Sequence, residues 1–153
     1  MTPEQMWTAY GQKIGKEILV GKTYTAWHFC NDEQGANALY PLVLSGQKRA
    51  TTSNLWLYEA EGEPLPKAGD LSIILDWDGN AQCIIETTEV DIVPFGEVTE
   101  EFAAIEGEGD KSLAYWRAVH EPIFRADCEG LGREFSEEVP AVCEQFRVAY
   151  QPE

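Results

Sequence analysis

Two apolar runs separated by a tight-turn signal constrain this chain more than any other feature. Leu71-Ser72-Ile73-Ile74-Leu75 and Cys83-Ile84-Ile85 flank the dipeptide Asp78-Gly79. Asp-Gly between two apolar runs marks a hairpin, because both residues accept the turn's backbone angles. Hairpin-linked strands run antiparallel. The chain is therefore expected to build a mixed or antiparallel sheet rather than a doubly wound one.

Helices are expected on both sides of this strand region. Residues 3–20 carry Met6, Tyr10, Ile14 and Ile18 every four residues, which makes one apolar stripe. Thr2 suits the N-cap, Pro3 the first turn and Gly21 the stop. Trp27-His28-Phe29 begins a connecting segment. A second helix is expected over about 32–45, with Leu39, Leu42 and Val43 on one face, Pro41 as a kink and Gly46 as the end. Ala50, Thr51 and Thr52 suit an extended segment, and Glu59 to Lys67 reads as a loop. Val90 to Val93 extends the sheet. A short helix over 99–106 follows, capped by Thr99, before Gly107 and Gly109 break the chain. Another helix over 111–121 ends or kinks at Pro122, and Val142 to Tyr150 forms a last strand. No repeat, low-complexity tract or linker interrupts this order, so 1–153 is expected to be one domain.

Composition narrows the function classes. Hydrophobic residues are 44% and charged residues 25%, which suits a globular chain. No apolar run is long enough to span a membrane, and the N-terminus lacks a secretory pattern, so a cytoplasmic location is expected. Net charge is −16, from 27 acidic and 11 basic residues. Such a surface repels long nucleic acid. A phosphate-bearing ligand must meet a local basic pocket, and Lys48-Arg49 is the only adjacent basic pair. Cys30, Cys83, Cys128 and Cys143 form no C-x-x-C pair, so they are expected to be reduced thiols rather than zinc ligands.

Gly46, Lys48 and Thr51 reproduce the signature of the ASCH family: a glycine, one residue, a lysine, two residues and a threonine. The segment 83–90, Trp27-His28-Phe29, and Tyr115-Trp116-Arg117 with His120 also resemble the family's longer branch. The resemblance spans nearly the whole chain. It implies an α+β fold of the PUA-like class, a small mixed or antiparallel β-barrel with helices around it and a cleft beside the lysine. The family is associated with RNA binding. Some members are similar to amidohydrolases on acylated cytidine nucleosides, and others to ribonucleases. One short member type uses a lysine, a threonine and a glutamate. The resemblance carries these onto Lys48, Thr51 and, after Val98-Thr99-Glu100, Glu106, with Glu100, Glu101 and Glu108 as competitors.

The chemistry of that set is demanding. A threonine hydroxyl needs a base to take its proton. A lysine serves only when neutral, which burial favours and a neighbouring carboxylate opposes. Each residue also has a plain reading: Lys48 as a solvated lysine, Thr51 as a strand threonine, Glu106 as a helix-surface carboxylate. Arg49 is a phosphate fork or a partner for nearby carboxylates. Trp27 and Trp56 are base-stacking platforms or core residues. Ser53, Ser112 and Trp116 are expected in the cleft wall, and His120 in the core. No metal site or cofactor is expected, save a divalent ion if the reaction is ribonucleolytic. Three functions stand: an amidohydrolase on N4-acylated cytidine, a ribonuclease on single-stranded RNA, and a non-catalytic module binding RNA or a modified nucleoside.

Overall fold

The computed structural model describes residues 1–153. It contains one five-stranded mixed sheet with helices against both faces. The strands are β1 (Tyr24–Trp27), β2 (Ala50–Asn54), β3 (Leu71–Leu75), β4 (Ala81–Pro94) and β5 (Pro140–Tyr150). Their spatial order is β1-β3-β4-β5-β2. Only β1 and β3 are parallel. The expected hairpin joins β3 to β4, closed by Asp76 N donating to the Asn80 carbonyl at 2.9 Å with Gly79 at φ 88°.

The expected barrel is not present, because the sheet does not close. Its edges, β1 and β2, each pair with one neighbour only. The open side of β2 meets a helix instead. The helices are α1 (Pro3–Ile14), α2 (Glu33–Leu44), α3 (Leu55–Glu61), α4 (Glu100–Glu106) and α5 (Leu113–Gly130). Just before β2, Arg49 N donates to the Ile105 carbonyl of α4 at 2.9 Å.

The apolar run of β3 is continuous because both its faces are covered. Ile73 and Ile84 pack with Met6 and Tyr10 of α1. Ile74, Cys83 and Ile85 pack with Val43 of α2, Phe29 and Phe146. A third cluster centres on Phe95, with Trp116, Phe124 and Cys128 of α5 against Ala141 and Cys143 of β5.

Four local expectations change. The first helix stops at Ile14, since Gly15 adopts φ 107°. A 3-10 turn over Lys16–Leu19 then buries Leu19 and leaves Ile18 50% exposed. Trp27 ends strand β1 rather than opening a connection, because a parallel partner is available on β3. Residues 55–61 form α3, capped by the Asn54 side chain on Trp56 N. Helix α5 runs through Pro122. Its stripe Trp116, His120, Phe124, Cys128 is buried on both sides of the proline. Pro122 and Ala118, whose carbonyl loses its helical donor, both face solvent.

Because packing alone carries α5 past Pro122, Pro122→Ala restores a missing donor at an exposed position. It should raise stability by about 1–3 kcal/mol. Chemical denaturation of the two proteins measures this, and a less stable variant would show that the proline shapes the helix usefully.

Candidate functional site

Gly46, at φ 83°, ends α2 and turns the chain toward α4. Three bonds then fix the next residues. Lys48 N donates to the Leu42 carbonyl at 3.0 Å, and Arg49 N to the Ile105 carbonyl. Gln47 Nε2 donates to the Gly107 carbonyl at 2.8 Å. The approach is so close that a Cβ on Gly107 would lie 2.0 Å from the Gln47 carbonyl oxygen. With its backbone fastened this way, Lys48 sends its side chain inward and is 1% exposed.

The Lys48 ammonium uses all three of its donors. It bonds the Ala50 carbonyl at 2.8 Å, Glu108 Oε2 at 2.9 Å and Glu106 Oε1 at 3.4 Å. It also lies 5.2 Å from the centre of the Phe29 ring.

Glu106 is the last residue of α4 and is 2% exposed. A carboxylate there sits at the negative end of the helix dipole and out of water, which is doubly unfavourable. Four donors offset this. Oε1 accepts from His120 Nε2 at 3.1 Å as well as from Lys48. Oε2 accepts from Thr52 Oγ1 at 2.9 Å and Trp116 Nε1 at 2.6 Å. Burial would raise the acid's pKa, but Lys48, His120 and Thr52 hold it down to about 2.

His120 lies one turn after Trp116 on α5 and stacks on its ring at 4.4 Å. Its Nδ1 faces the Trp116 carbonyl at 2.8 Å, and its Nε2 faces the ionised Glu106. Both partners only accept, so the arrangement favours a proton on each nitrogen, and His120 is an imidazolium below its raised pKa. Burial opposes that charge, but the hydrogen bond and charge of Glu106 outweigh it and raise the pKa. Lys48 and His120 thus balance Glu106 and Glu108 in one neutral, buried network.

The other expected site residues divide. Lys48 and Glu106 come together, but the hydroxyl on the carboxylate belongs to Thr52, not Thr51. Strand alternation turns Thr51 to the other face of β2, where its register partner is Glu144 of β5. Glu144 accepts from Thr87 Oγ1 at 2.6 Å, and burial raises its pKa. Ser53, on that same face, bonds the Tyr58 hydroxyl at 3.0 Å. Trp116 joins the network directly. Ser112 caps α5 and lines a chamber of about 10 Å³ beside Glu106, room for about one water. Trp27 packs edge-on against Phe29, and Trp56 lies under the Arg133 guanidinium at 3.6 Å. Sequence reasoning placed Thr52 on the strand but not in the site, and placed His120 in the core without its charge. The i, i+4 spacing of Trp116 and His120 was the available signal. No group of three or more His, Cys, Asp or Glu side chains is placed to hold a metal ion.

An open cleft of about 250 Å³ lies between the end of α2 and β5. Val43, Leu44, Phe146 and Val148 supply apolar wall, and Arg49 and Arg147 supply cations. Lys48 also borders it, so the cleft and the buried network share one residue. Arg147 pairs with Glu86, whereas Arg49 is exposed and makes no ion pair.

The network makes stability depend on pH in two directions. His120 has its pKa raised above 6.5, so its contribution is full below about 6.5 and is lost as pH rises through the folded value. Glu106 is lowered from 4.5 to about 2, so its contribution is present above about 4.5 and is lost as pH falls through the folded value. That displacement corresponds to stabilisation on the order of 3 kcal/mol. The thermal midpoint should therefore be highest between about pH 4.5 and 6.5. His120→Asn should lower the midpoint in that window and abolish the decline above it. A wild-type profile that stays flat above about pH 6.5 would remove the imidazolium.

The family model for the ASCH domain matches residues 25–150. The crystal structure of an ASCH domain from Lactobacillus crispatus JV V101 is similar to this chain at 40% identity and a TM-score of 0.92. That match covers 97% of this chain and 94% of that one. A protein from Enterococcus faecalis V583 is 33% identical, with a TM-score of 0.78 over 94% of this chain and 90% of its own. No curated protein matches. No helix is long and apolar enough to cross a membrane. A matched family model over most of the length, and a solved ASCH domain with the same fold end to end, make this chain a member of the ASCH domain family.

Proposed function

We propose that this protein binds a phosphate-bearing nucleoside, or the end of a short single-stranded RNA, in the cleft between α2 and β5. The cleft itself carries the reading. It gathers Arg49, which has no carboxylate partner, and Arg147 beside an apolar wall, on a chain of net charge −16. Guanidinium forks suit phosphate oxygens, and the half-buried Leu44 and Val148 suit the apolar face of a base or sugar. The acidic remainder of the surface opposes a long polyanion and tolerates a small one.

A second reading is hydrolysis of an N4-acylated cytidine. It is supported by the meeting of Lys48 and a threonine hydroxyl on one buried carboxylate, Glu106. In this arrangement Lys48 is held by three acceptors, the surroundings of an ammonium rather than of a base. A base role needs at least one of them to withdraw. Cleavage of single-stranded RNA in the same cleft, with or without a divalent ion, is the competing outcome.

Titration with cytidine 5′-monophosphate tests the first reading. Arg49→Ala and Arg147→Ala should each weaken binding by about tenfold at low salt, and the loss should shrink as salt rises. Identical curves for all three proteins would empty the cleft of ligand. Incubation with N4-acetylcytidine, read by mass spectrometry, tests the second. Release of acetate that stops in Thr52→Ala but not Thr51→Ala names Thr52 as the nucleophile, and the reverse names Thr51. Untouched acetylcytidine alongside shortened RNA moves the activity to ribonuclease.

A further inference from the structure

The two carboxylates on Lys48 are held very differently. Glu106 accepts four hydrogen bonds from three parts of the fold. Glu108 makes one side-chain hydrogen bond, to Lys48 Nζ at 2.9 Å, and its side chain is 15% exposed. It stands on the connection between α4 and α5, where Gly107, Gly109 and Lys111 all adopt positive φ, at 74°, 59° and 68°. A non-glycine residue in that region carries a conformational penalty, so this connection is held in a strained form. Its internal bonds, Lys111 N to the Glu108 carbonyl and Ser112 N to Asp110 Oδ1, involve no Glu108 side-chain atom, so Lys48 alone holds that side chain by a hydrogen bond.

Charge gives the same asymmetry. With Glu108 in place, Lys48 and His120 balance Glu106 and Glu108. With Glu108 withdrawn, the buried network carries one net positive charge. One ammonium donor is then unused beside the position left by Glu108, whose side chain is 15% exposed, and a charged donor without a partner there suits a small anion.

We infer that Glu108 is a resident internal ligand of Lys48, occupying the place of an external phosphate or carboxylate group that binds by exchange with it. This rests on the cleft reading above through Lys48, which borders that cleft, whereas Glu108 itself lines the small chamber beside Glu106. Binding breaks one ion pair and forms another. The ligand competes with Glu108, and the loop is released as the ligand enters.

Inorganic phosphate is the probe, titrated calorimetrically at low salt into wild type, Glu108→Gln, Glu108→Ala and Asp110→Asn. The last removes one charge from the same loop at a residue that does not touch Lys48. Both Glu108 variants should bind phosphate about tenfold more tightly than wild type, the ratio set by removing a competitor worth ~1.4 kcal/mol. Asp110→Asn should shift affinity by no more than about threefold, the scale of a screened surface charge. Phosphate should also speed amide hydrogen exchange at 108–111 in wild type. Equal gains in the Glu108 and Asp110 variants, or no gain in any, overturn the inference, as does a loop that stays protected when wild type is saturated with phosphate. Failure of the cleft reading looks different. There, phosphate still binds more tightly to the Glu108 variants, while Arg49→Ala leaves nucleotide affinity unchanged.

Discussion

A single carboxylate, Glu106, dictates the geometry around it. It is buried, ionised and placed at the disfavoured end of α4, so it persists only while four donors reach it at once. Those donors come from the segment before β2, from β2 itself and from α5. The carboxylate therefore sets how these elements sit against one another. Gly107 is part of the same requirement, because only a residue without a side chain lets Gln47 close on the end of α4.

Such a network is not needed for stability alone. An apolar cluster of the same volume commonly holds a fold as well or better, whereas removing one member of a buried ion cluster is costly. The neighbouring Phe95 cluster shows that this fold has such packing available. Lys48 belongs to the buried network and also borders the open cleft. The overall charge sharpens this point. Of 11 basic residues, Lys48 is buried in the network and Arg49 and Arg147 stand at the cleft, while 27 acidic residues surround them. The cations at the cleft are thus a local exception on an acidic chain.

Much of the fold was legible from short-range chemistry. Asp78-Gly79 between apolar runs marked the β3–β4 hairpin, Thr99 marked the start of α4, and Gly46 marked the end of α2. Each depends on the conformational habits of one or two residues. The errors had a common cause in long-range packing. Pro122 is a helix breaker by itself, but the buried stripe on both sides of it carries α5 through. The four residues of β1, Tyr24-Thr25-Ala26-Trp27, include strand-favouring types but are too short a run to declare a strand, and pairing with β3 makes them one. The barrel expectation failed because closure is a property of the whole sheet: β4 and β5 pair with each other along most of their length, and the edges never meet.

The site shows the same division. The resemblance to the ASCH family singled out Lys48 and named Glu106 with it, among Glu100, Glu101 and Glu108, and the fold brings Lys48 and Glu106 together across 58 residues. It named Thr51, whereas the hydroxyl that meets the carboxylate is that of Thr52. A step of one residue along a strand changes the face, and the facing of β2 is set by β5 and α4 rather than by the motif. Nor did it reveal that His120 is charged. A histidine on an apolar helical stripe takes its protonation state from what it touches, and the carbonyl and carboxylate that make it an imidazolium are brought to it only by the folded chain.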